Sequence, residues 1–366
     1  MNSNNHRPCR AGRLLLTAAT LSSVSFAYIQ SALAEDQVPT PWNGMEIGDQ
    51  TASGSSKSNQ ESVELTDSGG NLSGRSDRFH FVYQSLTGDC AFTARVVADT
   101  DQSAIAGLMV RDALATTSNF VALAQEPELG ALEIDRTNCQ PDAAITPVGQ
   151  AALNWLRLVK RGITIQTFTA PDQNGKPGHW TLVGKNQPIA SGMIYVGMFL
   201  SGHGDSSVST ASFDHVSLDL GTQPLLDDGR YTISPADAQS MILTASGIAV
   251  KLAVPANDPA QAWTLTKNSD GFYSIRPAQD TSVALTVPDA RSDSGTKVSM
   301  THDTGSKSQR WSIIANENDT YCLVPQFNAG IGLDDYGGVG TSDATIDVWG
   351  LNTTDPHLQW TFTQTH

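Results

Sequence analysis

The chain has 366 residues, 16% of them charged, and a formal net charge of −15 at neutral pH. An acidic surface of this kind repels nucleic acid and anionic membranes, and it favours a neutral ligand over a polyanionic one. The first 34 residues read as a signal peptide, with Arg7, Arg10 and Arg13 ahead of a short apolar stretch at 14–27 and a small-residue Ala32-Leu33-Ala34 before Glu35. That stretch is too short and too rich in Ser and Thr for a membrane anchor, since a span needs ~20 mostly apolar residues. No later segment reads as a span, so the mature chain is expected to be exported and soluble. Cleavage removes three arginines and no acid from −15, leaving −18.

Residues 35–60 read as partly loose because of the polar Ser53-Gly54-Ser55-Ser56 run. Strand-like segments follow at 62–66, 78–84, 91–98, 106–111, 120–125 and 131–135, with one helical turn near 113–117. A hairpin is expected at 154–160 and 163–170, turning at Arg161-Gly162. After a loop at 172–178, strands resume at 180–183, 194–200 and 209–218. Short strands at this spacing suggest a β-sandwich. Gly221-Thr222-Gln223-Pro224 marks the expected boundary, giving domains at 35–220 and 221–366.

Beyond the boundary the chain repeats. Trp263, Trp311 and Trp360 stand 48 and 49 residues apart, in the phrases Gln261-Ala262-Trp263, Gln309-Arg310-Trp311 and Leu358-Gln359-Trp360. Each is preceded by a Tyr-to-Pro strand: Tyr231 to Pro235, Tyr273 to Pro277 and Tyr321 to Pro325. One supersecondary unit is used three times, because a single four-strand unit cannot bury its apolar face alone. The three tryptophans are expected in the core.

These phrases, the threefold period and a length of about 140 residues resemble the ricin-type β-trefoil lectin. The resemblance implies an early Asp in an active unit, an aromatic about fifteen residues later, and a polar group near the end. The third unit fits, with Asp334, then Asp347 and Trp349 alternating on one strand face, then His357. A carboxylate there would accept vicinal sugar hydroxyls and the indole would cover the apolar face of the ring. The other units offer Thr244 and Thr286 for the acid. The second offers Met300 for the aromatic, and the first has no aromatic at 250–254.

Residues 42–219 resemble the concanavalin A-like sandwich of secreted bacterial proteins and of some β-xylosidases. The resemblance rests on Asp77 to Gln84, Leu86 to Asp89, Ala106 to Asp112, Trp155 to Leu158, Trp180, Val196 to Met198 and Ala211 to Asp214. Arg111 and Arg157 could pair with Asp112 or Asp214 across neighbouring strands, a common structural arrangement. His179-Trp180 and Ser201 to Asp205 are the exposed loop candidates, with Asp205 and Asp214 as weak calcium ligands. Glu133 and Asp135 share a strand face as in jelly-roll glucanases, but Thr137 or Asn138 stands where the second catalytic glutamate belongs. No Gly-x-Ser-x-Gly elbow or phosphate loop is present.

Export permits a Cys90–Cys139 disulfide and leaves Cys322 as a buried filler. No Cys-x-x-Cys or His-x-x-x-His spacing occurs, so neither a metal nor another cofactor is expected. The chain therefore reads as an all-β, exported glycan-binding protein with no nucleic-acid partner and no membrane span. The alternative is a glycoside hydrolase or polysaccharide lyase in which the trefoil only tethers the sandwich.

Overall fold

A computed structural model describes residues 41–48, 54–59, 62–72, 74–99, 104–137, 141–149, 154–189, 192–202, 208–220, 225–316, 319–336 and 340–365. The leader, the Gly221 to Pro224 boundary, Cys139 and the loop containing His203 and Asp205 lie outside these residues. The described part is all β, with short 3-10 turns and no α-helix among the described residues, and none of its helices is long and apolar enough to cross a membrane. The helical turn expected near 113–117 is a plain turn.

Two seven-stranded antiparallel sheets come first. One runs, in spatial order, Asn43–Ile47, Phe79–Leu86, Ile194–Ser201, Ile105–Arg111, Phe120–Glu126, Gly130–Arg136 and Ala144–Gly149. The other runs Thr181–Pro188, Thr164–Ala170, Trp155–Arg161, Cys90–Asp99, Ser209–Leu220, Ser62–Asp67 and Ser55–Ser58. Alternation along the strands explains the packing. Val82, Leu108, Val110 and Val196 of the first sheet meet Leu65, Phe92, Leu156 and Phe213 of the second in one apolar cluster. Their strand neighbours Phe79, Phe81, Met109, Phe120 and Phe199 form another cluster on the opposite face.

That second face is closed by a buried ion network. Asp77 Oδ1 accepts from Arg136 Nη2 at 2.7 Å, and Asp77 Oδ2 accepts from Arg111 Nη2 at 3.1 Å. The guanidiniums of Arg111 and Arg136 lie 5.2 Å from the Phe79 and Phe120 rings respectively. Arg111 thus pairs with Asp77 and not with Asp112. Arg157 bonds Thr93 and stacks on Trp180, while Asp214 is held by Arg95. Sequence reasoning erred here because the partners come from separate loops and strands. Asp214, held in this way, is not an open calcium ligand. Cys90 and Cys322 are free and buried, and burial pushes their thiols up to about 12 and about 11. Such thiols are inert fillers.

The C-terminal part is trefoil-like. Six strands close a barrel: Gly229–Pro235, Trp263–Lys267, Tyr273–Pro277, Trp311–Ala315, Tyr321–Pro325 and Trp360–Thr365. Hairpins cover one end, with Ile242–Ser246 paired to Ala249–Ala253, Val283–Thr286 to Ser299–His302, and Ile331–Asp334 to Asp347–Gly350. Trp263, Trp311 and Trp360 have no exposed surface and share one cluster. Each indole N–H donates to a hairpin carbonyl: Leu243 at 2.8 Å, Leu285 at 3.0 Å and Leu333 at 2.9 Å.

Two turns of the two-sheet body seat against the barrel. The Asp89 carboxylate accepts from the Gly162 N–H at 2.8 Å and pairs with Lys267 Nζ at 2.8 Å. A side chain at Gly162, which has φ +55, would run into Ser312, and Ile163 packs with Phe272, Ile314 and Leu358. Trp311→Ala removes a filled core volume and its indole hydrogen bond. It should lower unfolding free energy by ~3–5 kcal/mol in denaturant titration.

Candidate functional site

The three indole bonds define which positions correspond between units. The residue after each accepting leucine is Thr244, Thr286 or Asp334. Strand register then gives their cross-strand partners as Lys251, Ser299 and Asp347. Two residues further along lie Ala253, Thr301 and Trp349. The sequence reading of Met300 as the counterpart of Trp349 is therefore displaced by one residue. Met300 points into the trefoil core, and Thr301 takes the outward position.

In the first two units this face is filled by an amide. Gln309 Nε2 donates to Thr286 Oγ1 at 3.2 Å, to Thr301 Oγ1 at 2.9 Å and to the His302 carbonyl at 2.8 Å. Gln261 Nε2 donates to the Val254 carbonyl at 2.8 Å and reaches Thr244 Oγ1 at 3.5 Å. Both glutamines end a 3-10 turn that delivers them beneath the hairpin. In the third unit the equivalent turn ends in Leu358, which is buried and packs beneath Gly332. Its neighbour Gln359 turns away to the Thr353 carbonyl. The amide is lost together with the threonine, and two aspartates take the space.

Asp334 and Asp347 are direct cross-strand partners, as are Gly332 and Trp349. Both carboxyls are buried, whereas Trp349 is 49% exposed. Asp347 and Trp349 alternate onto one face, and both border the backbone of Gly295: a carbon added there would lie 3.9 Å from Asp347 Oδ2 and 3.9 Å from Trp349 Cζ3. Gly332 opposite the indole and Gly295 beside it leave that ring uncovered. As two carboxylates the Asp334–Asp347 pair has no proton to donate, and neither Asp347 oxygen then finds a partner. Protonating one supplies the missing donor. Burial, then repulsion from Asp334 and Asp335, raises the Asp347 carboxyl to about 7. Near neutral pH the pair thus shares a proton and presents both donor and acceptor character.

His357 sits apart from this face. Asp335 alternates to the opposite side of the strand from Asp334, and His357 Nδ1 lies 2.9 Å from Asp237 Oδ2 and 3.9 Å from Asp335 Oδ1. The expected four residues therefore divide into Asp334, Asp347 and Trp349 on the hairpin face, and His357 with Asp237 and Asp335 behind it. Asp237 belongs to the first unit and was missed, because no local spacing links it to His357.

In the two-sheet body, Glu133 is buried and accepts from Thr167 Oγ1 at 2.5 Å, while Thr137 Oγ1 donates to Asp135 at 2.9 Å. The strand that tempted a hydrolase reading thus spends its carboxyls on internal hydrogen bonds. Trp180 is half-buried beneath the Arg157 guanidinium at 5.1 Å, and its neighbour His179 is exposed.

Residues 259–349 match the family described as ricin-type beta-trefoil lectin domain-like. The C-terminal part of the chain accordingly carries a ricin B-type lectin domain. Among solved structures, the designed threefold symmetric protein ThreeFoil is 20% identical, covering 38% of this chain and all of its own, with a TM-score of 0.35. A ricin B-like lectin from Macrolepiota procera, solved in complex with lactose, is 19% identical over 39% of this chain and all of its own, with a TM-score of 0.34. A GlcNAcα1-4Gal releasing endo-β-galactosidase from Clostridium perfringens is 9% identical over 88% of each chain, with a TM-score of 0.41. No curated protein matches the chain.

The Asp347 carboxyl has a pH consequence. The unfolded chain releases this proton near 3.8 and the folded chain near 7, so between these values the folded state holds the extra proton. Its stabilisation is complete below about pH 4 and is lost as pH rises through 7. Asp347→Asn should be more stable than the parent at pH 8, by on the order of 1–4 kcal/mol, with the difference vanishing toward pH 4 in denaturant titrations at both pH values.

Proposed function

We propose that the chain is an exported carbohydrate-binding protein whose third trefoil repeat receives a neutral glycan. The observation that carries this reading is the half-exposed Trp349 ring beside the Asp334–Asp347 pair, in a unit that has lost the Gln-to-Thr bond filling its two counterparts. A pyranose has an apolar C–H face and a rim of hydroxyls. The indole covers the first, and an acidic pair sharing one proton both accepts from and donates to the second. Asp334 faces the sugar directly, beside the more deeply sealed Asp347. His357 borders the site from behind the strand, with Nδ1 engaged by Asp237.

The two-sheet body preceding the trefoil is, in this reading, a concanavalin A-like sandwich without catalytic duty. The lectin reading is favoured over the hydrolase alternative by the internal hydrogen bonds of Glu133 and Asp135. The signal-like leader and the acidic surface support an extracellular or periplasmic protein binding an uncharged saccharide. A single shallow site binds weakly, so clustered glycans would add avidity.

A glycan array on the mature protein should give binding to neutral oligosaccharides without release of reducing ends. Trp349→Ala should weaken the best hit by on the order of 1–2 kcal/mol, about 5- to 30-fold, while leaving the unfolding transition in place. Unchanged binding by this variant would remove the third repeat from the reading, and release of reducing or unsaturated sugars would favour the enzyme.

A further inference from the structure

Behind the hairpin face, three ligating side chains converge from opposite ends of the repeat array. Asp237 follows the strand Gly229–Pro235 of the first unit, while Asp335 and His357 belong to the third. One ligating atom of each lies within 4.8 Å of the other two. His357 Nδ1 is 2.9 Å from Asp237 Oδ2 and 3.9 Å from Asp335 Oδ1. Asp335 is fully buried, His357 is half-buried and Asp237 is exposed.

We propose that Asp237, Asp335 and His357 form a site for a divalent transition metal, best suited to Zn²⁺, which clasps the first repeat to the third. Zinc takes imidazole nitrogen and carboxylate oxygen together at about 2.0–2.2 Å, and tetrahedral geometry then spaces the donors by roughly 3.3–3.6 Å. The two separations from His357 Nδ1, 2.9 Å and 3.9 Å, bracket that spacing. Calcium and magnesium prefer all-oxygen shells of six or more ligands, and an imidazole argues against them. The exposed side at Asp237 leaves a fourth position to water.

The surroundings of the three side chains carry a surplus of negative charge. The charges acting on Asp347 and His357 are those of Asp237, Asp334, Asp335 and Asp355, with Lys297 as the cation named beside them. A dication bound by Asp237, Asp335 and His357 would offset this surplus of negative charge. No spacing motif betrays the site, because its ligands lie about 120 residues apart and only barrel closure brings them together.

The proposal is independent of the glycan reading and is tested without sugar. The untagged full-length mature protein, stripped with chelator, is titrated with ZnCl₂ by calorimetry and melted with and without Zn²⁺. One equivalent should bind and raise the melting temperature, and EDTA should reverse the rise. Asp237→Asn, at an exposed position, should fold normally and bind Zn²⁺ at least about ten-fold more weakly, as should His357→Gln. Absence of Zn²⁺ uptake by the parent would overturn the proposal. So would equal uptake by parent and Asp237→Asn, which would place the ion at another histidine, and so would a preference for Ca²⁺ over Zn²⁺.

Discussion

The bond from each repeat tryptophan to a hairpin carbonyl is the constraint on which the trefoil depends. A buried indole N–H must find an acceptor, and the Leu243, Leu285 and Leu333 carbonyls provide it at 2.8–3.0 Å. Because the indole is rigid and fully enclosed, the bond fixes how far each hairpin extends over the barrel. The next residue along must then face outward at the same place in all three units. That place is filled by Thr244, Thr286 or Asp334. Three equivalent positions are thus created by packing, and their chemistry is set by what else reaches them.

The proposed function rests on one departure from the repeat. Where Gln309 is present, its amide satisfies Thr286 and Thr301 and the position is closed. Where Leu358 replaces the glutamine, no side-chain amide arrives from below. Two carboxyls then face each other on neighbouring strands, with an uncovered indole beside them. Burying such a pair is unfavourable unless a proton, a ligand hydroxyl or a nearby cation compensates. The same local cost therefore links the raised Asp347 carboxyl to the sugar reading.

Much of this was legible in the sequence. The Trp phrases, with their steady period, announced the barrel, and alternation placed most strands of the two-sheet body within a residue or two of their observed ends. The strands Asn43–Ile47, Ser55–Ser58 and Ala144–Gly149 were not expected. Ser55–Ser58 is polar and Ala144–Gly149 is largely exposed, so neither shows the apolar alternation that marks a strand, and both lie at sheet edges. Met300 stood in for Thr301 because alternation alone does not align one repeat with another: only the pairing of Thr286 with Ser299, matching that of Asp334 with Asp347, puts Thr301 at the Trp349 position. The pairing of Asp77 with Arg111 and Arg136, the seating of Asp89 on Gly162, and the meeting of Asp237 with His357 all depend on tertiary closure. No periodicity encodes such contacts.

The central claim is that glycan sits on the third hairpin, against Trp349. Nitrogen-15 NMR of the seven indole N–H groups during titration with an array-selected oligosaccharide tests it most directly. The account predicts a shift at Trp349, while Trp263, Trp311 and Trp360, each bonded to a backbone carbonyl inside the core, stay in place. A saturating titration that moves Trp180 or Trp155 and leaves Trp349 unmoved would contradict it.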